Sequence, residues 1–284
     1  KSAIYDECDF IGINYNLSIY DTVHKMRPNK PVFASECCAT GTTRDWNFDA
    51  DANGRIRDKD RDANDWFLGR EKIYKALRER SYVFGCYQWA AVEHRGEAAW
   101  PRVCSCSGAL DLFLQKKGAF YQNKSHWTKE PMAHIVPHWN FKGLEGKEIL
   151  VTVYTNCEES ELFLNGESLG KQQIEKYGHG EWNVKYTPGT LEVKGYIGGK
   201  EVCSDKRVTT GKPVALRLTR DNDFTANGSD IALFTCECVD ENGRAVPDAA
   251  EYVSFSVSAP ARIIGTGSDN CDHNNVANTS RKMY

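Results

Sequence analysis

The segment PVFASE, residues 31–36, reads as a short buried strand that ends in a carboxylate, Glu36. Parallel (β/α) barrels carry their catalytic groups at the C-terminal ends of their strands, which is where this glutamate would lie. A glutamate at a strand end is also common as an ion-pair partner in a loop. The surroundings of Glu36 therefore decide between the two interpretations.

Strand and helix patterns alternate around this segment, from Lys1 to about Trp127, as in successive βα units. The predicted strands are CDFIGINYN, PVFASE and YVFGCYQWA, and the predicted helices are SIYDTVHKMRPN, DWFLGREKIYKALRER and GAFYQNKSHW. The second helix has an apolar face made of Trp66, Phe67, Ile73, Tyr74 and Leu77. Asn64 precedes that helix as a candidate N-cap. Because a complete barrel takes about 250 residues, we predict that residues 1–130 form the C-terminal part of a (β/α)8 TIM barrel.

The pattern changes to short alternating strands at about Ile149. A first set comprises EILVTVYTN, SELFLNGESLG, EWNVKYTPG and TLEVKGYIGGKEV, and a second comprises VALRLTRD, DIALFTCECVDENGRAV and YVSFSVSA. Asn-Gly pairs at 165–166 and 242–243 indicate turns, and TKEPMAHIVPHW reads as a linker in front of the first set. We predict two β-sandwich domains, 131–212 and 213–284, the second cut short. The fold class is therefore multidomain, α/β plus all-β.

Composition narrows the possible partners. The 284 residues carry a formal net charge of −3 with scattered Lys and Arg, so there is no basic stripe that would follow a nucleic acid. No apolar run approaches the length of a membrane span. None of the eleven cysteines forms a CxxC pair, and we expect mostly reduced, structural thiols. Neither nucleic acid nor a membrane is a predicted partner, and no cofactor is predicted.

Three successive predicted strands end in residues suited to holding a sugar. Asn14 and Tyr15 follow the first strand, Glu36 ends the second and Trp89 ends the third. A carboxylate can attack an anomeric carbon, a phenol can donate a hydrogen bond to it, and an indole can form an apolar wall for a pyranose. Taken singly each residue has an ordinary structural alternative, so their coincidence at one barrel end carries the prediction.

Several motifs resemble family 2 glycoside hydrolases, the group that contains β-galactosidases and β-glucuronidases. The stretches NYN at 14–16, FASE ending at Glu36 and YQWAAVEHRGEAAWP at 87–101 resemble the last part of the barrel in that family. YTNCEESELFLNGESLG, TPGTLEVKGY and the region from VALRLTRD onward resemble the immunoglobulin-like domains of a bacterial β-galactosidase branch. The resemblance covers nearly the whole chain.

The resemblance implies a role for each matched residue. Glu36 matches the catalytic nucleophile of a retaining mechanism, and Tyr15 matches the tyrosine that hydrogen-bonds to it, with Asn14 beside it. Trp89 matches the aromatic platform under the sugar. Glu93, His94 and Glu97 lie in the following loop as candidates for contact with sugar hydroxyls, and among them we select Glu97 as a substrate-binding residue; no metal ligand is assigned.

One element of the family pattern is missing. Retaining chemistry needs two carboxyl groups about 5 Å apart, and the Asn-Glu pair that carries the family's acid/base does not occur in this sequence. The resemblance therefore implies the C-terminal part of a retaining exo-β-glycosidase, most closely a β-galactosidase, that is inactive without preceding residues. Its partners would be a β-galactoside-type saccharide and the N-terminal part of its own parent chain, with homo-oligomerisation open. Family resemblance points to a bacterial periplasmic or extracellular location.

Alternative interpretations stay open from sequence. The glycon could instead be a β-glucuronide or β-mannoside. The chain could also be a non-catalytic accessory fragment, either structural or carbohydrate-binding, in which Trp139 and Trp182 stack on saccharide. The acidic residues in DADANGRIRDKD, Asp49 to Asp60, have a spacing similar to that of the ligands in an EF-hand calcium loop. The alternative is an ordinary acidic loop exposed to solvent. His134 and His138 are expected to pack or to hydrogen-bond rather than to bind metal.

Overall fold

A computed structural model describes residues 4–268 and 276–283 of the chain. The helices are α1 Ile4–Glu7, α2 Tyr20–Met26, α3 Arg70–Arg78 and α4 Gly118–Trp127, with a 3₁₀ turn at Leu17–Ile19. The strands are β1 Ile11–Asn14, β2 Val32–Cys37, β3 Val83–Gln88, β4 Ala133–Val136, β5 Glu148–Thr155, β6 Glu159–Leu164, β7 Glu167–Gln173, β8 His179–Lys185, β9 Thr190–Ile197, β10 Lys200–Val208, β11 Ala215–Arg220, β12 Phe234–Val239, β13 Tyr252–Ser254 and β14 Ser280–Lys282. Within the described ranges, no helix is both long and apolar enough to cross a bilayer.

The first region is a parallel three-stranded sheet in the order β1-β2-β3. Its strands bury alternate side chains, Ile11, Ile13, Val32 and Ala34, against helices α2 and α3. Tyr20 of α2 and Ile73 and Leu77 of α3 complete that core from the helix side. Because the strands are parallel, their C-terminal ends meet at one edge of the sheet, as predicted from the sequence.

The other face of this sheet is open and aromatic. The rings of Phe10, Phe33 and Phe84 contact one another at centroid distances of 5.3–6.0 Å. Phe84 keeps 62% of its surface accessible and Phe10 keeps 51%. An apolar cluster of this kind normally lies against other parts of a protein.

Helix α3 begins later than the sequence pattern predicts. It starts at Arg70, and the predicted face residues Trp66 and Phe67 lie in the preceding loop, where Trp66 is 58% exposed. Asn64 caps a turn by accepting the backbone N–H groups of Trp66 and Phe67. The helix N-terminus is instead held by the Asp60 carboxylate, which accepts the N–H groups of Arg70 and Glu71. The start of α3 is thus set by the Asp60 carboxylate, which the apolar periodicity of the helix segment does not indicate.

The second region consists of two antiparallel sheets, β4-β5-β8 and β10-β9-β6-β7, that enclose one apolar core. The predicted linker TKEPMAHIVPHW was only partly right, because residues 133–136 within it form β4 and pair with β5. The Asn165-Gly166 pair makes the predicted hairpin between β6 and β7, with φ values of 52° and 87°. Trp139 and Trp182 are buried at 1% and 7% exposure, so neither ring is available to stack on a saccharide.

The third region contains two antiparallel strand pairs, β11-β12 and β13-β14. The predicted turn at 242–243 is present, since Gly243 has φ 73° and its N–H bonds to the Asp240 carbonyl. The buried cluster here is small and comprises Cys238, Val246 and Ala249. The TIM-barrel and immunoglobulin-like assignments, with their boundaries at 130 and 212, stay predictions beyond these sheets.

Candidate active site

The sheet brings the predicted strand-end residues together. Asn14 pairs in register with Glu36, and the Tyr15 N–H donates to the Glu36 carbonyl at 2.7 Å. On the other side of β2, the Trp89 N–H donates to the carbonyl of Cys37 at 2.8 Å. Asn14, Tyr15, Glu36 and Trp89 therefore lie on three adjacent strand ends at one edge of the sheet.

Tyr15 is linked to Glu36 through its side chain as well as its backbone. Burial, a hydrogen bond to the Glu36 side chain and the charge of that carboxylate all raise the pKa of the Tyr15 phenol. The phenol therefore stays protonated and can donate to Glu36. Phe67 packs edge-on against the Tyr15 ring at a centroid distance of 5.0 Å and restricts its orientation.

Trp89 is held by the loop that follows it. Its indole N–H donates to the Glu97 carboxylate at 3.2 Å, and its ring meets His94 edge-on at 5.4 Å. The His94 Nε2 lies 3.4 Å from the same carboxylate. Trp89, His94 and Glu97 thus form one polar and aromatic cluster beside the nucleophile candidate, and Glu97 is exposed.

Glu93 lies outside this cluster. Its side chain is fully buried and forms an ion pair of 2.5 Å with Lys117, which is equally buried. Burial raises the pKa of the Glu93 carboxyl, and the Lys117 charge opposes that shift. Glu93 therefore holds the loop through a buried ion pair. Of the three candidates in that loop, only His94 and Glu97 contact the Trp89 side chain.

A buried arginine supports the loops around the strand ends. Arg70 has no exposed side-chain surface, and its guanidinium donates to the Thr40 hydroxyl at 3.0 Å and to the Ser107 carbonyl at 3.3 Å. Thr40 follows β2 and Ser107 lies in the segment after β3. The guanidinium thus ties together the loop that follows Glu36 and the loop that follows Trp89.

The acidic loop at 49–60 does not gather its carboxylates around one point. Asp51 pairs with Arg55 at 2.7 Å, Asp49 extends into solvent, and Asp60 is occupied by α3. In the described ranges, no group of three or more metal-ligating side chains comes together. The EF-hand-like spacing therefore belongs to an acidic loop whose carboxylates serve different partners.

The two linker histidines have packing roles, as predicted. His134 stacks on Tyr121 at a ring distance of 3.2 Å, and burial lowers the pKa of its imidazole, helped by the nearby charge of Arg207. His138 stacks on Phe141 and accepts the Asn140 N–H. The His134 ring therefore connects the first region to the second, whereas the His138 ring packs within the second.

Some supporting residues could not be identified from sequence. Phe67 was assigned to a helix face, and neither Arg70 nor Lys117 carried any motif signal. The contacts of all three join segments far apart in the chain, such as Arg70 with Ser107 and Lys117 with Glu93. A chemical role for such residues can be seen only once the loops are placed.

Comparisons with known proteins place this geometry in a family. A family model described as glycoside hydrolase family 2 C-terminal domain 5 matches residues 216–284, and one described as a domain of unknown function (DUF4982) matches 146–203. β-Galactosidase BoGH2A of Bacteroides ovatus is 32% identical over 285 residues, which include 92% of this chain and 33% of that protein. A β-glucuronidase of Formosa agariphila is 32% identical over 195 residues, 66% of this chain and 20% of that protein.

The solved structures agree with the sequence relatives. A glycosyl hydrolase family 2 member from Bacteroides cellulosilyticus superposes with a TM-score of 0.81 at 30% identity, covering 97% of this chain and 37% of that one. The chain thus spans about a third or less of the length of these relatives. The family 2 C-terminal domain model, sequence similarity over 92% of the chain and a common fold together show that the chain belongs to glycoside hydrolase family 2 and corresponds to a C-terminal region of its members.

Proposed function

We propose that this chain is the part of a retaining exo-β-glycosidase that supplies the catalytic nucleophile, Glu36, and that the enzyme hydrolyses terminal β-D-galactosides. In the proposed mechanism the Glu36 carboxylate attacks the anomeric carbon and forms a covalent glycosyl-enzyme. A second carboxyl group, from a preceding part of the parent polypeptide, protonates the leaving oxygen and then activates water.

The observation that carries the proposal is the pairing of Tyr15 with Glu36 at adjacent strand ends. A protonated phenol that donates to a carboxylate holds its orientation and moderates its charge before attack. Trp89 on the next strand end offers an apolar surface, and its indole is fixed by Glu97. Asn14 is exposed at the neighbouring strand end and can hydrogen-bond to a sugar hydroxyl.

The charges at the site favour a neutral glycon. The side chains described around Glu36 and Trp89 include the carboxylate of Glu97 and the imidazole of His94. A uronate would bring a further negative charge close to two carboxylates, at a cost in binding free energy. Similarity over 92% of the chain to a protein named β-galactosidase supports the same choice.

The test is covalent trapping in the full-length parent. An activated 2-deoxy-2-fluoro-β-galactoside is expected to add one sugar to the intact mass, and peptide mapping is expected to place it on Glu36. The Glu36→Gln variant should acquire no adduct. Wild-type turnover by that variant, or an adduct on another carboxylate, would overturn the nucleophile assignment.

The glycon assignment has a separate readout. The matching 2-fluoro-β-glucuronide and 2-fluoro-β-mannoside are tested in parallel with the galactoside. Faster labelling of Glu36 by the glucuronide would keep the nucleophile and replace the galactoside. The Trp89→Ala variant should raise KM for the reactive glycoside, because the apolar wall under the sugar is removed.

A further inference from the structure

Two cysteines of the second region face each other across the two sheets. Cys157 lies just after β5, where the chain passes to β6, and Cys203 lies on the edge strand β10. Their sulfur atoms are 3.5 Å apart although the residues are separated by 46 positions. Both thiols are free in the structure.

A glycine provides the space in which the sulfurs meet. Gly195 on β9 pairs in register with Cys203. A Cβ atom at Gly195 would lie 2.7 Å from both sulfur atoms. Any other residue there would push the sulfurs away, so the pair depends on this absent side chain.

The contact between the two cysteines also shifts the pKa values of both thiols. The hydrogen bond from the Cys203 thiol, together with one from Thr155, lowers the pKa of the Cys157 thiol. The same contact with Cys157, with burial, raises the pKa of the Cys203 thiol. Either sulfur can donate the hydrogen bond to the other, and a thiolate is the form of cysteine that attacks a disulfide.

We propose that Cys157 and Cys203 are a thiol pair that closes to an intramolecular disulfide by exchange with an oxidised low-molecular-weight disulfide. Cys203, the more exposed of the two, loses its proton to solvent and, as the thiolate, attacks one sulfur of the reagent, forms a mixed disulfide and releases one thiolate. The Cys157 thiolate then attacks the Cys203 sulfur, which forms the protein disulfide and expels the second thiolate. Two protein thiols are oxidised, one reagent disulfide is reduced to two thiols, and the two protons pass to the released thiolates.

The disulfide would restrain β10, the strand that hydrogen-bonds to β4 where the first two regions meet. The Asp205 carboxylate on β10 accepts the Ile135 N–H at 2.9 Å, and Arg207 donates to the Ile135 carbonyl at 2.7 Å. Ile135 lies on β4, the strand that connects α4 to the second region. A cross-link at Cys203 therefore ties β10 to the β5–β6 crossover while β10 holds β4.

The experiment starts with the unmodified 284-residue chain under native conditions. The protein is equilibrated in glutathione disulfide, free thiols are alkylated in denaturant, and tryptic peptides are analysed without reduction. The expected product joins peptide 148–171 to peptide 201–206, each of which contains one cysteine. The melting temperature of the second region should rise by roughly 5–15 °C and fall back after reduction.

Controls separate this pair from general oxidation. Cys8 is exposed and should form a mixed disulfide with glutathione, which shows that the oxidant is active. Cys203→Ser should lose both the cross-linked peptide and the thermal shift, whereas Cys236→Ser should keep both. Alkylation of both Cys157 and Cys203 in a sample whose Cys8 is glutathionylated would overturn the proposal, as would linkage of either one to another cysteine.

Discussion

The first two regions of this chain differ in how completely their sheets are covered. In residues 133–208 two sheets close over an apolar core in which Val151, Val153, Leu162, Leu191 and Val193 have no exposed surface. In residues 4–127 the three-stranded sheet is covered on one face and open on the other. The first arrangement is complete in itself, whereas the second presents aromatic surface that other chain segments would cover.

The interiors also differ in charge. The α/β region buries Arg70, Lys117 and Glu93 with almost no exposed side-chain surface. Buried charges add little net stability, but they fix the position of the groups that they bind. These charges hold the loops that follow Glu36 and Trp89. The comparison indicates that the α/β region has buried charges in addition to its apolar core, and that these charges position the loops around the strand ends.

The largest effect is expected where a buried charge loses its partner. Lys117→Met leaves the Glu93 carboxylate buried without a counter-ion, which should lower the free energy of unfolding by about 3–5 kcal/mol. The neighbouring exposed residue gives a matched control, and Lys116→Met should cost less than about 1 kcal/mol. Denaturant unfolding measures both, and hydrogen exchange should show the loss in residues 83–127.

An equal loss in both lysine variants would contradict this prediction. It would mean that the Glu93 carboxyl is protonated and tolerates the loss of Lys117. The double variant Glu93→Gln/Lys117→Met distinguishes the cases, because it removes both charges and should recover part of the lost stability.

A cavity in the apolar core should have a slightly smaller effect. Leu162→Ala removes a fully buried side chain from between the two sheets and should cost about 3 kcal/mol. Leu169→Ala on β7 is the control, because that side chain is already 37% exposed. Hydrogen exchange should increase in residues 148–208 and stay unchanged around β1–β3. Equal loosening of both regions would mean that they unfold as one unit.

The regions are joined by an ionic cluster whose strength should depend on pH. His179 lies between the Glu71 carboxylate of α3 at 2.7 Å and Glu181 at 2.8 Å, and Lys59 also pairs with Glu181. Burial opposes protonation, but hydrogen bonds to Glu181 and Glu71 outweigh it and raise the pKa of His179 to about 9. The stabilisation is fully present below the ordinary value of about 6.5 and is lost as pH rises through 9.

The carboxylates set the acid limit of the same cluster. The pKa values of Glu71 and Glu181 are lowered, so their contribution is present above their ordinary range and is lost on acidification. His179→Gln should cost about 1–2 kcal/mol at pH 6 and almost nothing at pH 10. A cost that is the same at both pH values would show that His179 acts through packing alone.

Local patterns predicted those elements whose determinants are close in sequence. The strand ends at Asn14, Glu36 and Trp89, the helix at 118–127 and the turn at Asn165-Gly166 all follow from nearby residues. The start of α3 and the existence of β4 were not predicted, because both depend on residues outside the local segment. Helix α3 begins where Asp60 caps it, and β4 exists because β5 pairs with it.

The site shows the same division. Tyr15 and Glu36 could be predicted because strand ends in a parallel sheet meet at one edge. The burial of Glu93 could not, because the outcome depends on Lys117, which is placed by a different element. Sequence thus indicates which residues lie together at the strand ends, whereas the residues that support them can be identified only from the three-dimensional structure.

The smallest predicted effect contrasts one substitution in the two regions. Gly166 has φ 87° in the β6–β7 turn, so Gly166→Ala forces a side chain into the left-handed conformation and should destabilise by about 1 kcal/mol. Gly85 lies within β3 with no atom near an added Cβ, so Gly85→Ala should be neutral or stabilising by about 0.5 kcal/mol. Denaturation midpoints that move in opposite directions would support the assignment of both backbones. A loss of stability in Gly85→Ala would contradict this prediction and would show that the space beside Gly85 is already occupied.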